Sequence, residues 1–483
     1  MAYGAQKEFV VTSRVMIWWS ALISVVLLCL PLAARGGVPN PTITGPIPAN
    51  VKPGDPSHDY PQLATSLDLA RPLDVASLGY VEEEYFFSGT ANVYNTPTLM
   101  TATIVSSGHP YKSRIIVRRP TSPAQFNGTV LVEWVNVTSG YNNDALFRLS
   151  QDHLVRAGYA YVGVSAQRIG VQVPPGGLTA WSPSRYGSLD VTDNGTITDD
   201  SLSYDIFSQA GQAIRTPQGV DMMGGLPVRR IIAIGASQSQ GRLVTYHNSI
   251  HPLANVFDGY VLVLGLGGKL RTDLGVKVFK VDTETDLLFL GEVAARQPDS
   301  DHLRTWEIAG ASHVSFSDHS RRVGLVARDS LPPSTPWICD IQPALSHVAT
   351  FQALNAVYGH ISRWISHGTL PPTVPRVDVQ SEGPPVVLNR TSLGLATGGI
   401  QLSQQAVPTA VENAINSGPG LCILYGSHTP FDVATLAQLY QNHHTYVSAV
   451  SDVNNENVRA GYILSGDAEA NIFEAAQSGI LKR

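Results

Sequence analysis

The chain has 483 residues, 43% of them hydrophobic and 14% charged, with a formal net charge of −6. A chain of that length buries a large core, and so low a charged fraction excludes disorder and coiled coil. No basic block or Lys/Arg stripe occurs, which leaves nucleic-acid binding without support.

Lys7 and Arg14 precede an apolar run from Val15 to Ala34, and the small residues of LAARGG follow. This is the layout of an export signal. The run is also long enough to span a bilayer as an uncleaved anchor, the one way a membrane enters the reading. Residues 1–36 are therefore expected to be a signal peptide or signal anchor, and the protein secreted or periplasmic. Loss of Lys7, Glu8, Arg14 and Arg35 with that segment takes the charge from −6 to −8. Cys29 lies inside it, leaving Cys339 and Cys422. In an exported chain that pair predicts one disulfide, with two buried thiols as the alternative. Sequons begin at Asn127, Asn136, Asn194 and Asn389 and matter only in a host that glycosylates.

Residues 37–72 are rich in Pro and Gly and read as an extended stretch lying over a core. From residue 113 a new rhythm begins. The apolar runs SRIIVRR, GTVLVEWVN, GYAYVGVSAQ, VRRIIAIG, FDGYVLVLGL, VKVFKVDT and LRTWEIAG predict strands covered on both faces. The helical candidate 144–157 lies between the second and third, so the expected fold is α/β with a mostly parallel sheet. Residues 168–226 exceed an ordinary crossover and form a lid-like insertion. Within it Leu202, Ile206, Ala210 and Ala213 share one helical face. An amphipathic helix is predicted over 344–365, closed by Gly368. The organisation is then an extended N-terminal segment (37–112), a core (113–368) and an appended C-terminal region (369–483).

IIAIGASQSQGRL runs from Ile231 to Leu243. An acyl-transfer serine needs a histidine base, a carboxylate to orient that base, and backbone N–H donors for the oxyanion. A sharp strand-to-helix turn supplies the donors, with small residues flanking the serine where strand and helix crowd together. Ser237 at the apex fits, although Ser239 occupies the place of the second Gly in Gly-x-Ser-x-Gly. The rival frame makes Ser239 the nucleophile with Gly241 behind it. Downstream, VFKVDTETD ends a strand at Glu284 and Asp286, and TWEIAGASH ends another at His313. His313 is the expected base and Asp286 its carboxylate, with Glu284 as the alternative acid or a supporting group. The N–H of Gln238 and those of Asn136 or Val137, on the loop after the second core strand, are the expected oxyanion donors. Because that loop faces the site, the Asn136 sequon is expected to stay unmodified.

His247 and His251, four apart, read as a solvated helix end closed by Pro252 rather than as metal ligands. DVTDNGTITDD reads as an acidic surface loop, since Ser201 stands where a calcium loop has its closing carboxylate. His443 and His444 read as surface residues. No metal or nucleotide cofactor is expected.

The stretches GVPNPTITGPIP, VEEEYFFSGTANVY, VEWVNV, GYAYVGVSAQ, SYDIFSQAG, GASQSQGRL, TETD and AGASH resemble the α/β-hydrolase superfamily, in particular a family known as alpha/beta hydrolase domain-containing proteins. The resemblance covers residues 38–483. It implies a Ser–acid–His hydrolase, mapped onto Ser237, Asp286 and His313, and it supplies no substrate. The expected partner is a small carboxylic ester or lactone. An acyltransferase with the same triad, or a non-catalytic extracellular binding protein, are the alternatives. The sequence does not fix the oligomeric state.

Overall fold

One nine-stranded sheet takes up all seven apolar runs. Its strands are β1 (Thr42–Thr44), β2 (Tyr80–Asn95), β3 (Thr103–Pro120), β4 (Thr129–Trp134), β5 (Ala160–Val164), β6 (Arg230–Ala236), β7 (Gly259–Val263), β8 (Lys277–Thr283) and β9 (Leu303–Ile308). The computed structural model describes residues 37–48, 60–61, 64, 73–332 and 338–482. The segment 1–36 and the signal or anchor assigned to it lie outside the described residues. Among the described residues no helix is long and apolar enough to cross a membrane.

The strand order is β1-β2-β3-β5-β4-β6-β7-β8-β9. The first three pairings are antiparallel and all from β5 to β9 are parallel. At its centre Val132 of β4 lies between Val162 of β5 and Ala233 of β6. Every residue of β4, β5, β7 and β9 is buried, so side chains on both faces are covered, as continuous Val/Ile/Leu runs require. Strand β2 and the part of β3 before SRIIVRR are what the apolar runs do not announce. Much of this stretch is half-exposed, and its pattern is neither a continuous apolar run nor a clean alternation.

The main helices are α1 (Ala145–Arg156), α2 (Ser203–Arg215), α3 (Gln238–Thr245), α4 (Glu284–Phe289), α5 (Phe316–Arg328), α6 (Thr350–His367), α7 (His443–Ala460) and α8 (Ser465–Gln477). Helix α2 buries Leu202, Ile206, Ala210 and Ala213 as their spacing predicts. Helix α6 starts at Thr350, not at 344. Residues 344–348 instead bond to the hairpin 410–430 through Ala344, Leu345 and Ser346 and through the His347 N–H, which keeps that backbone out of a helix. Pro252 does not end the helix after Ser237. A π-helical turn over Tyr246–Ile250 intervenes, and Pro252 falls in the first turn of the helix His251–Ala254, where its missing N–H costs nothing.

The C-terminal region packs α7 and α8 together around Tyr446, Val450 and Ala475. It is fastened to α6 by a reciprocal amide pair, Gln352 with Asn471 (2.7 and 2.9 Å), and by His360 Nε2 to the Gly461 carbonyl (2.8 Å). Cys339 and Cys422 are joined by a disulfide.

Candidate active site

The ends of three parallel strands, β6, β8 and β9, supply the residues singled out above. Ser237 follows β6 with φ 58° and ψ −124°, a conformation costly for a residue with a Cβ, and α3 begins at the next residue. Its N–H donates to the carbonyls of Val263 and Leu264 (3.0 and 3.1 Å), which pins the apex against the end of β7. Gly235 is where crowding is greatest. A Cβ there would lie 2.8 Å from Leu243 Cδ1 and 3.1 Å from the Ser239 backbone, whereas one at Gly241 meets nothing nearer than Leu266 Cδ1 at 3.8 Å. Ser239 sits in ordinary helix, fully buried, and its hydroxyl has no hydrogen-bond partner. The turn is therefore centred on Ser237.

Asp286 and His313 meet on the neighbouring loops, Oδ1 to Nδ1 at 2.6 Å, both buried. Asp286 closes a capping box at the start of α4. Its Oδ2 accepts the backbone N–H and the hydroxyl of Thr283 (2.7 and 2.8 Å), which leaves Oδ1 for the imidazole. The His313 N–H donates to Thr285 Oγ1 (3.1 Å). Among the described residues His313 Nε2 and the Ser237 hydroxyl make no hydrogen bond, so both stay free for a ligand. Sequence reading passed over Thr283 and Thr285, although Thr283 to Asp286 spells the capping-box signature.

Glu284 does not touch the imidazole. Its Oε2 accepts the Gly310 N–H (2.8 Å) and its Oε1 pairs with Arg390, so it braces the loop carrying His313 against the C-terminal region. Burial raises its pKa and the Arg390 charge opposes that.

The loop after β4 lies against the serine turn, with Asn136 Nδ2 donating to the Ala236 carbonyl at 3.0 Å. The two expected donors on this loop differ. The Asn136 N–H is spent on the Asn143 carbonyl (3.1 Å), whereas the N–H groups of Val137 and Gln238 have no partner among the described residues. Asn136 is buried, its amide committed beneath Ser237. The insertion forms the adjoining wall: a Cβ on Gly176 would lie 2.4 Å from the Gly140 carbonyl, and Trp181 Nε1 donates to the Asp329 carbonyl (2.7 Å).

Two expectations about histidines need correction. His247 and His251 are buried, not solvated, and burial holds both down to about 4. Their rings stack beside Tyr260, whose hydroxyl lies 3.0 Å from His251 Nδ1. His443 is half-buried against the carbonyls of Ile480 and Ala476 (2.7 and 3.2 Å), while His444 is exposed. In the acidic loop, Asp190, Asp193 and Asp200 turn to separate partners: Thr192 and Gln172, His109, and the Arg168 N–H. One group among the described residues has metal-ligating chemistry: His347, Glu412 and His428, with ligand atoms within 4.8 Å of one another. Both Glu412 oxygens are committed, to His428 Nδ1 (2.6 Å) and to the His347 N–H (2.8 Å). The group as it stands is a hydrogen-bonded clamp between the hairpin 410–430 and the start of α6.

A family model described as "Alpha/beta hydrolase domain" matches residues 43–473. No curated protein matches the chain. Solved structures similar to it include an α/β serine hydrolase without lid from Xanthomonas campestris, at 11% identity and a TM-score of 0.28 over 51% of this chain and 97% of that one. Acetyl xylan esterase 1 from a Thermoanaerobacterium species gives 13%, 0.23, 47% and 53%. The rice cell wall degrading esterase LipA from Xanthomonas oryzae gives 13%, 0.23, 39% and 45%. The chain thus spans about half the length of those two esterases. Similarities this low assign no chemistry.

Proposed function

The chain belongs to the alpha/beta hydrolase domain family, and we propose that it is a serine hydrolase of carboxylic esters or lactones, exported, with Ser237, His313 and Asp286 as its triad. The observation that carries this is the buried Asp286–His313 pair at 2.6 Å, on the loops after β8 and β9, in the sheet whose β6 ends at a serine held at φ 58°. In this reading Ser237 Oγ attacks the carbonyl carbon while His313 Nε2 takes the hydroxyl proton. Asp286 Oδ1 stabilises the imidazolium through Nδ1–H. The Gln238 and Val137 N–H groups receive the oxyanion, which is why an N–H already spent, as at Asn136, does not serve. The tetrahedral intermediate collapses when His313 returns the proton to the departing alkoxide, and water then cleaves the acyl-serine with the same base. Esters are preferred to amides because an alkoxide leaves with less assistance than an amine.

The test is fluorophosphonate labelling of wild type, Ser237→Ala and Ser239→Ala, alongside turnover of p-nitrophenyl esters. Wild type and Ser239→Ala are expected to label and turn over, and Ser237→Ala to do neither. Labelling that survives Ser237→Ala and disappears in Ser239→Ala moves the nucleophile by two residues. A wild type that neither labels nor turns over leaves the binding-protein reading.

A further inference from the structure

Arg322 is a buried cation with an empty hydrogen-bonding edge. It lies on α5, only 5% exposed, and its Nε and Nη2 have no hydrogen-bond partner among the described residues. Its one hydrogen bond is a long one, Nη1 to Ser139 Oγ at 3.3 Å. Asp318, one turn earlier on the same helix, is near enough for the two charges to act on each other, but its Oδ1 pairs with Arg148 at 2.8 Å and it makes no hydrogen bond to Arg322. Beside it lies the buried Tyr141 hydroxyl, which neighbours the same Ser139 side chain and is close enough for the Arg322 charge to act on its ionisation. His319 Nδ1, on the same helix, is buried and unpartnered too. Unsatisfied buried donors are rare in folded proteins, and several in one place mark where something else binds.

The identity of the empty edge says what that is. Nε and Nη2 form the side of a guanidinium that grips both oxygens of a carboxylate. The chain uses that edge so elsewhere: Arg296 Nε and Nη2 take Glu307 Oε1 and Oε2 at 2.9 and 2.7 Å. Arg322 presents the same fork with nothing in it. The place is also set, because Ser139 is two residues beyond Val137, no more than about 7 Å of chain. Helix α5 begins three residues after His313, so one flank of the subsite continues from the candidate base and the other from the candidate oxyanion donor Val137.

We propose that Arg322, with Tyr141 and Ser139, binds a carboxylate on the substrate, so that the enzyme acts on half-esters of short dicarboxylic acids or on lactones that carry a free carboxylate. This rests on the hydrolase reading above and narrows its substrate class. The same fork can grip a phosphate, but one guanidinium carries a single positive charge and so balances a singly charged carboxylate better than a dianionic phosphate.

The test compares mono-p-nitrophenyl glutarate with p-nitrophenyl pentanoate, the same ester with and without the terminal carboxylate. Wild type is expected to favour the glutarate in kcat/KM by about tenfold or more, mainly through KM. In Arg322→Met the ratio between the two esters falls to near one, and in Arg322→Lys, which keeps the charge without the fork, it falls part of the way. A wild-type ratio near one, or a ratio that survives Arg322→Met in a folded variant, overturns the proposal. Calorimetric titration of Ser237→Ala with monomethyl glutarate separates this from failure of the hydrolase reading. Binding that Arg322→Met abolishes supports the subsite even where no ester turns over, and no binding to Ser237→Ala overturns it.

Discussion

Thr283 gives both its backbone N–H and its hydroxyl to a single oxygen of Asp286, so that the helix cap and the orientation of His313 depend on the same carboxylate. Local stability and imidazole orientation are thereby coupled. Replacing Thr283 by Val keeps the branched shape and the N–H bond and removes only the hydroxyl. The expected loss is about 1 kcal/mol of stability, the worth of one buried hydrogen bond. Ester turnover should fall by roughly tenfold, since a fixed base geometry contributes on that scale or more. Thermal unfolding and a kcat–pH profile of the variant check both. A stability loss with unaltered turnover would show that Thr283 serves the cap alone.

The serine turn makes opposite demands on its two nearby glycines. Gly235→Ala forces a Cβ against Leu243 and the Ser239 backbone and should destabilise by about 1–3 kcal/mol, with displacement of Ser237 and loss of activity. Gly241→Ala adds a methyl to open space in a helix and should stabilise by roughly 0.5–1 kcal/mol with the enzyme still active. Denaturant unfolding of the two variants decides. Equal effects would mean the turn is not centred on Ser237.

Acid should weaken the fold through buried histidines. Burial holds His153, His247 and His251 down to about 4, against an ordinary value of 6.5. Between those values the unfolded chain binds protons that the folded chain refuses. Their contribution is therefore complete above pH 6.5 and is lost as pH falls toward 4, by about 1.4 kcal/mol per pH unit for each histidine. Urea unfolding at pH 7 and pH 5 measures the fall. A His247→Asn, His251→Asn variant retains the hydrogen-bonding groups without the titration and should show a shallower slope; an unchanged slope removes these histidines from the explanation.

The disulfide should matter to stability, because Cys339 and Cys422 are 83 residues apart. Opening so long a loop costs about 2–5 kcal/mol. Paired Cys339→Ser and Cys422→Ser substitution should lower the unfolding midpoint, and a reductant should do the same to wild type and nothing to the variant.

Much of this was legible because strong local patterns survive folding. The seven apolar runs are strands for the reason they are apolar, namely cover on both faces. Ser237, Asp286 and His313 stood out because each follows a strand. What escaped depends on partners distant in sequence. Nothing in WVNVTSGYNND says that Asn143 captures the N–H of Asn136 and leaves that of Val137. His247 and His251 looked solvated because Tyr260, whose ring packs against both, comes only after the turn at residue 255. The start of α6 was misread because the bonds holding residues 344–348 come from a hairpin dozens of residues downstream.

That Glu284 finds its cation in Arg390 has a consequence for how the molecule is made. Synthesis proceeds from the N-terminus, so Ser237, Asp286 and His313 all leave the ribosome well before the residue that neutralises the carboxylate beside them. The Glu284 carboxylate stays without its cation for a further 106 residues, until Arg390 arrives, and Cys339 waits 83 residues for Cys422. A nascent chain bearing all three residues thus still lacks the ion pair and the disulfide that tie their surroundings to the C-terminal region, and both close only when most of the polypeptide already exists.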